Sequence, residues 1–263
     1  MTAHIPSVSQ PLGSAEFYDR LVSVFDVMTD WKARLAFEMP FLQQTLERCG
    51  ARRVLDAACG TGWHAIKLAR AGYAAEGCDA SPAMIRQARA NAMAVRVDVS
   101  FQVADLTELG AHLAPPFDAI LCLGNSLPHL LSPEALTNAL EQMHKLLKTG
   151  GVLVLHNLNY DLRLKTRPRF FQPAGNADTV VWRFADYGPD LITFHTAIFE
   201  QDQVGGWSVH VNSTPQRPLL ARELDEALGR AGFDVQMAQR FGGLDGSPFE
   251  IDKSGDLVIV AEV

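Results

Sequence analysis

The stretch that most constrains this chain is Val54-Leu55-Asp56-Ala57-Ala58-Cys59-Gly60-Thr61-Gly62, where an apolar run stops at an acid and then passes two glycines. Arg52 to Ala57 carries the β-branched and aliphatic residues of a buried strand, while Trp63 to Arg70 has helix-forming composition with apolar residues at helical spacing. A strand therefore feeds a helix through glycines. Gly60 and Gly62 have no Cβ, so the turn can be sharp and a ligand can lie against the backbone at the positive end of the helix. The stretch reads as a site for a nucleotide-like cofactor.

Two cofactor classes compete for it. Gly60 to Ala65 fits G-x-G-x-x-A, the dinucleotide pattern. Asp56, however, sits at the strand end inside the turn, where it would repel a pyrophosphate and attract a ligand with an ammonium and no phosphate, such as S-adenosylmethionine (SAM). Asp79 ends the next apolar segment at the distance of a carboxylate that takes ribose hydroxyls, a role NAD would also use. Asp105 ends Val99 to Ala104, so three successive strands finish at an acid. That repetition favours SAM.

D-A-A-C-G-T-G, then G-C-D-A-S-P-A-M, A-D-L and I-L-C-L-G-N-S-L-P-H-L occur in this order. The chain thereby resembles the class I SAM-dependent methyltransferases, and most closely their glycine and sarcosine N-methyltransferase branch, from about Tyr18 to Asp161. The resemblance implies cofactor contacts from Asp56, Ala58, Gly60, Thr61, Gly62, Asp79, Ala80, Met84, Asp105, Leu106, Leu123 and Ser126, with S-adenosylhomocysteine as the product. It also implies that a helical segment before the core folds over the cofactor, with Tyr18 and Trp31 against it. Arg34, in Asp30-Trp31-Lys32-Ala33-Arg34, would take the methionine carboxylate. Asn159-Tyr160-Asp161 matches the branch's N-Y-D, but Leu158 stands where the branch has the arginine that pairs with the acceptor's carboxylate. Leucine supplies neither charge nor a bidentate hydrogen bond, which counts against glycine as acceptor. Arg163, Arg167 and Arg169 follow closely enough to reach back.

Composition narrows the partners. The net charge of −7 and a pI near 5.6 lack the basic balance of a nucleic-acid binder. The four cysteines have no C-x-x-C spacing, so neither a metal nor disulfides are expected. No stretch reaches the roughly 18 apolar residues of a membrane span, and no basic segment leads into an apolar leader. A cytoplasmic protein with a small-molecule acceptor is expected, with monomer and homodimer both open.

The expected fold is α/β, a doubly wound, mostly parallel seven-stranded sheet with a C-terminal antiparallel hairpin and a small antiparallel β insert. Residues 1–13 read as an N-terminal arm and 14–50 as a helical cap interrupted near Thr29-Asp30 and Met39-Pro40. Residues 51–158 form the cofactor core, and 159–218 an insert of three strands over the substrate. Residues 219–263 complete the core with a helix from Arg222 to Ala231 and strands over Val235 to Phe241 and Leu257 to Ala261. Thr149-Gly150-Gly151 is expected to stop the helix that begins after Ser132.

The chemistry expected is methyl transfer to a small molecule, with nitrogen favoured as acceptor, oxygen or carbon as alternatives, and cofactor binding without turnover as the reading from another class. An amine needs only amide or carbonyl oxygens to orient its N–H groups, which makes Asn125 the candidate. An oxygen acceptor needs a base, for which His129 is nearest and Tyr160, His64 and His156 follow.

Overall fold

In the computed structural model, which describes residues 11–263, the expected strand forms as β1 (Arg53–Ala57), preceded by α1 (Ser14–Met28) and α2 (Trp31–Arg48). Residues 1–10 of the expected arm lie outside the described residues. The core continues as α3 (Trp63–Arg70), β2 (Ala74–Asp79), α4 (Pro82–Ala94), β3 (Ser100–Val103), α5 (Leu109–His112), β4 (Phe117–Cys122), α6 (Pro133–Leu146) and β5 (Leu147–Leu158). After α7 (Tyr160–Thr166) come β6 (Ala174–Gly175), β7 (Thr179–Tyr187), β8 (Ile192–Gln201) and β9 (Trp207–Gln216). The chain closes with α8 (Ala221–Ala231), β10 (Gln239–Phe241) and β11 (Asp256–Glu262).

Seven strands pair in the order β10-β11-β5-β4-β1-β2-β3. β1 runs parallel to both β2 and β4, while β11 lies antiparallel between β5 and β10. The strands alternate between two apolar layers. Leu55 and Ala57 of β1 and Ile120 and Cys122 of β4 pack with Leu140 and Met143 of α6 and Leu224 and Leu228 of α8. Val54, Ala119 and Leu121 pack on the opposite side with Leu46 of α2, Ile66 of α3 and Ile85 of α4. Helices cover both faces, which is why the central strands read as nearly continuous apolar runs.

Several of the helix starts follow from side-chain capping. Ser81 Oγ accepts from Met84 N at 3.0 Å and Ser132 Oγ from Ala135 N at 3.1 Å, each before a proline in the first turn. Asp30 Oδ1 caps α2 by accepting from Ala33 N at 3.0 Å, so the break at Thr29-Asp30 forms as expected.

Elsewhere tertiary pairing overrides local signals. Pro40 does not interrupt α2, which continues through it to Arg48. The helix after Ser132 ends at Leu146, before the glycines, because Leu147 already pairs with Phe117 of β4 and Gly150 N donates to Val263 O. The strand expected over Val235 to Phe241 shrinks to β10, since Asp234 Oδ1 accepts from Gln236 N and Met237 N and turns that backbone. The insert gains a strand. β6 adds to the three expected, giving a second antiparallel sheet in the order β6-β7-β8-β9.

α1 joins the two sheets. Phe17, Leu21 and Val24 pack against Val181 of β7 and Ile198 of β8. On the core side, Asp19 Oδ1 accepts from Ser81 Oγ at 2.5 Å and from Ala83 N at 2.9 Å, binding α1 to the start of α4.

Candidate active site

The strand-to-helix turn opens into a cavity at the carboxyl ends of β1, β2 and β4. Gly60 and Gly62 have φ of +54° and +82°, a region that penalises any Cβ. Their tasks differ. A Cβ on Gly60 would stand 3.4 Å from the Phe25 ring, whereas one on Gly62 would strike Phe101 at 2.7 Å and Ala88 at 2.9 Å. Gly60 faces the cavity, and Gly62 lets α3 seat against β3 and α4. Ala58 and Asn125 also have positive φ, 61° and 67°, and both border ligand-sized space. Non-glycine residues held in this region concentrate at functional sites.

The acids set the electrostatics. Asp56 lines the cavity, is 2% exposed, and its Oδ2 is buried with no hydrogen-bond partner. Burial pushes its carboxyl up to about 6, although His64 and the Ala65 backbone N–H counteract part of the rise. Asp79 accepts from Gly60 N at Oδ2 and from Ser81 N at Oδ1, both at 2.9 Å. Burial, with repulsion from Asp19 and Asp105, raises its carboxyl too. Each Asp79 oxygen keeps a lone pair for a further donor. Asp105 lies at the cavity rim and accepts from the Thr107 N–H and hydroxyl at Oδ1.

α1 and α2 supply the opposite wall. Trp31 and Arg34 line the cavity, and the Arg34 guanidinium lies 5.0 Å from the Trp31 ring centroid. Arg34 Nε donates to Glu38 Oε1 at 2.9 Å, and Glu38 Oε2 lies 2.6 Å from His64 Nε2. Burial alone would raise the Glu38 carboxyl; the His64 hydrogen bond and Arg34 together hold it below its ordinary value. Tyr18 O–H lies 3.2 Å from His129 Nε2, and Gln216 Nε2 lies 3.4 Å from the same ring nitrogen. Burial pushes the Tyr18 hydroxyl well up and the His129 imidazole down to about 4. His129 is thus neutral near neutral pH.

Of the residues marked in the sequence, Ala80, Met84, Leu106, Leu123 and Ser126 also line this cavity. Thr61 and Gly62 do not. Thr61 is fully buried and its hydroxyl donates to Asp26 Oδ1 at 2.6 Å. Asn125 and Tyr160 line a second cavity, which shares Tyr18, Phe25, Arg34 and Gly124 with the first. There Asn125 Oδ1 accepts from Leu158 N and Nδ2 donates to Tyr160 Oη, both at 3.0 Å. The amide oxygen expected to meet an acceptor's N–H groups thus holds the backbone just before the N-Y-D motif and keeps one lone pair for a further donor. Burial pushes the Tyr160 hydroxyl up to about 12. Arg163 reaches the second cavity; Arg169 instead pairs with Asp186 on the surface, and Arg167 ends α7 without lining either cavity.

Three acids beside the site escaped the sequence reading. Asp26 accepts from Trp31 Nε1 and Thr61 Oγ1 at Oδ1, and from Trp63 Nε1 and Asn91 Nδ2 at Oδ2, at 2.6 to 3.2 Å. Asp19 and Asp26 are seven residues apart on α1, hence on one face, beside the buried stripe. Glu38, four residues after Arg34, is the third, and it links Arg34 to the buried His64.

This donor set fits SAM. An ammonium would satisfy the orphaned Asp56 Oδ2, Asp79 retains acceptor capacity for two hydroxyls, and two carboxylates beside the turn disfavour a pyrophosphate.

Comparison with known proteins agrees. Residues 54–151 match the model of a methyltransferase domain. A glycine/sarcosine N-methyltransferase of Aphanothece halophytica is 34% identical over 195 residues, covering 70% of this chain and 74% of that protein. The corresponding enzyme of Parasynechococcus marenigrum is 32% identical over 214 residues, covering 81% and 75%. The fold matches a SAM-dependent methyltransferase structure from Clostridium acetobutylicum with a TM-score of 0.77 at 17% identity, over 95% of this chain and 97% of that one. With that family likeness on a site whose acids suit an ammonium and a ribose, the chain belongs to the class I SAM-dependent methyltransferases, within the family of the glycine/sarcosine N-methyltransferases.

Proposed function

We propose that the enzyme methylates the nitrogen of a small-molecule amine held in the second cavity. SAM, when bound, supplies an electrophilic methyl carbon on a sulfonium sulfur. In this reading Asp79 takes the ribose hydroxyls, Asp56 the ammonium and Arg34 the carboxylate, while Met84 and Leu106 cover the adenine. Tyr18, Phe25, Arg34 and Gly124 border both cavities and mark where donor and acceptor meet. Holding the partners there in a dry, oriented pair is the enzyme's main contribution.

The observation that carries the nitrogen assignment is the charge of the second cavity. Its described lining includes Arg34, Arg163 and Arg183 and no aspartate or glutamate. Such walls disfavour an ammonium and favour the neutral amine, the form with a lone pair to give. Nor does either cavity offer a base poised for a hydroxyl. His129 at about 4 is too weak, the Tyr160 phenol stays protonated, and both nitrogens of His156 are engaged. Its Nδ1 faces Gly124 N at 3.4 Å and its Nε2 faces Asp256 Oδ2 at 3.5 Å.

Incubation with SAM and a panel of amines, amino acids and phenols, with the methyl position read by NMR, should give N-methyl products; methyl ethers instead would overturn the assignment. Asp79→Ala should weaken S-adenosylhomocysteine binding by about 1 to 3 kcal/mol in calorimetric titration, and unchanged affinity would remove Asp79 from the site. Leu158→Arg should raise glycine methylation by about tenfold or more by placing a cation in the wall of the second cavity. No gain would mean that other walls exclude glycine.

A further inference from the structure

β7 and β8 form part of the roof of the second cavity, and one pair on them breaks the pattern of a packed sheet face. Arg183 and Thr196 are directly opposed in the β7–β8 register, so both side chains point to the same face. Their neighbours two positions away on that face, Val181 and Ile198, are buried against α1, and Ala185 and Phe194 are apolar as well. A cation and a hydroxyl thus interrupt an otherwise apolar surface.

Neither has a protein partner to account for it. Arg183 makes no side-chain ion pair or hydrogen bond among the described residues, although its side chain lines the cavity. Arg183 is half-buried, and burial pushes its guanidinium down from the ordinary value. Thr196 is 0% exposed, lines the same cavity, and its Oγ1 has no hydrogen-bond partner. A half-buried, unpaired guanidinium and an orphaned hydroxyl each cost stability until something satisfies them. Arg163, on the wall formed by α7, adds a second cation, its guanidinium 5.0 Å from the Phe171 ring centroid.

We propose that Arg183 and Thr196 form an anion site for the methyl acceptor, which is an amine carrying a carboxylate and an apolar body larger than glycine. The proposal rests on the second cavity being the acceptor's. The guanidinium fork matches a carboxylate in two parallel hydrogen bonds, and the Thr196 hydroxyl can donate a third. This site takes over on the roof the charge that Leu158 lacks on the core side. The body is set by the remaining walls. The cavity is about 280 Å³, many times the roughly 10 to 15 Å³ that one water needs by the same measure, and Leu21, Met28, Leu158, Ile192 and Phe194 line it.

The test uses the full chain saturated with S-adenosylhomocysteine and two probes of equal shape, 3-phenylpropionate and its uncharged amide, titrated calorimetrically. The carboxylate should bind at least tenfold more tightly than the amide. Arg183→Met should remove that preference, Arg183→Lys should restore part of it, and Thr196→Val should lower it severalfold; S-adenosylhomocysteine affinity should stay unchanged in all three. Equal binding of the two probes, no binding of either, or an unchanged preference in Arg183→Met would overturn the proposal. Failure of the nitrogen assignment reads differently. Loss of the carboxylate preference in Arg183→Met, together with O-methyl products from the parent, would leave the anion site standing and remove only the amine.

Discussion

Asp56→Asn is expected to weaken SAM and S-adenosylhomocysteine binding by about 3 kcal/mol at pH 7.5, the loss that follows when one member of a buried charge pair is removed, and at the same time to stabilise the ligand-free protein. The two effects have opposite signs because Asp56 is held ionised and buried with its Oδ2 unpartnered. Its carboxyl stands at about 6 in the folded chain against an ordinary 3.8. The folded state therefore binds that proton more tightly than the unfolded state does, and stability falls as pH rises from about 4 to about 6. Above that range the full cost is present, about 3 kcal/mol. The asparagine avoids it. Part of the gain is lost because Nδ2 inherits the unpartnered position, leaving about 1 to 2 kcal/mol by urea unfolding at pH 7.5 and none below about pH 4. In the parent, cofactor affinity should fall about tenfold between pH 7.5 and pH 5 as Asp56 takes up its proton, and the variant should lack this dependence. Parent-like affinity in Asp56→Asn would take this acid out of the site.

Asp26→Ala tests the other end of the same wall. Two indole N–H groups, the Thr61 hydroxyl and the Asn91 amide converge on this one carboxylate, and alanine leaves all four donors without it. Charge-assisted hydrogen bonds contribute about 1.5 to 3 kcal/mol each, but Asp26 and Trp31 are only half-buried, so water replaces some of what is lost. A net destabilisation of about 3 to 4 kcal/mol is expected, together with weaker cofactor binding. Trp31 and Thr61 would be released from each other, and with them the register of α1 and α2 over the glycine turn. Asp26→Asn should be milder, since its amide oxygen still accepts two of the donors. Equal stability of Asp26→Ala and parent in urea unfolding would show that the four bonds do not hold the wall together.

Much of the lining of the first cavity was legible because its signals are local. Asp56, Gly60, Asp79 and Asp105 sit at strand ends or in the turns that follow, and residues so placed converge at one sheet edge whenever parallel strands line up. Gly62 was legible as a special position but not for its task, since only the packed structure puts Phe101 and Ala88 where its Cβ would be. Thr61 carried a motif position, yet its hydroxyl turns to Asp26 and away from the cavity. Asp19 and Asp26 were passed over because an acid on a helix usually faces water. Here α1 is flanked on both sides, with the core on one and β7 and β8 on the other, and its acids meet donors more than thirty residues away in sequence.

Local hydrogen bonding and periodicity were therefore enough to determine from sequence alone that this chain builds a doubly wound sheet with a glycine turn and acids at its rim, and the motif order pointed to its cofactor. Tertiary structure decided the rest. It ended α6 at Leu146 by pairing Leu147 with Phe117, gave Asn125 the task of holding Leu158 and Tyr160, and set Arg183 across from Thr196 above the second cavity. The physical reason is the range of the forces involved. Turns, caps and strand runs are specified by neighbours a few residues apart, whereas the charge and shape of the second cavity arise where β7 and β8 meet α1, more than a hundred residues earlier in the chain.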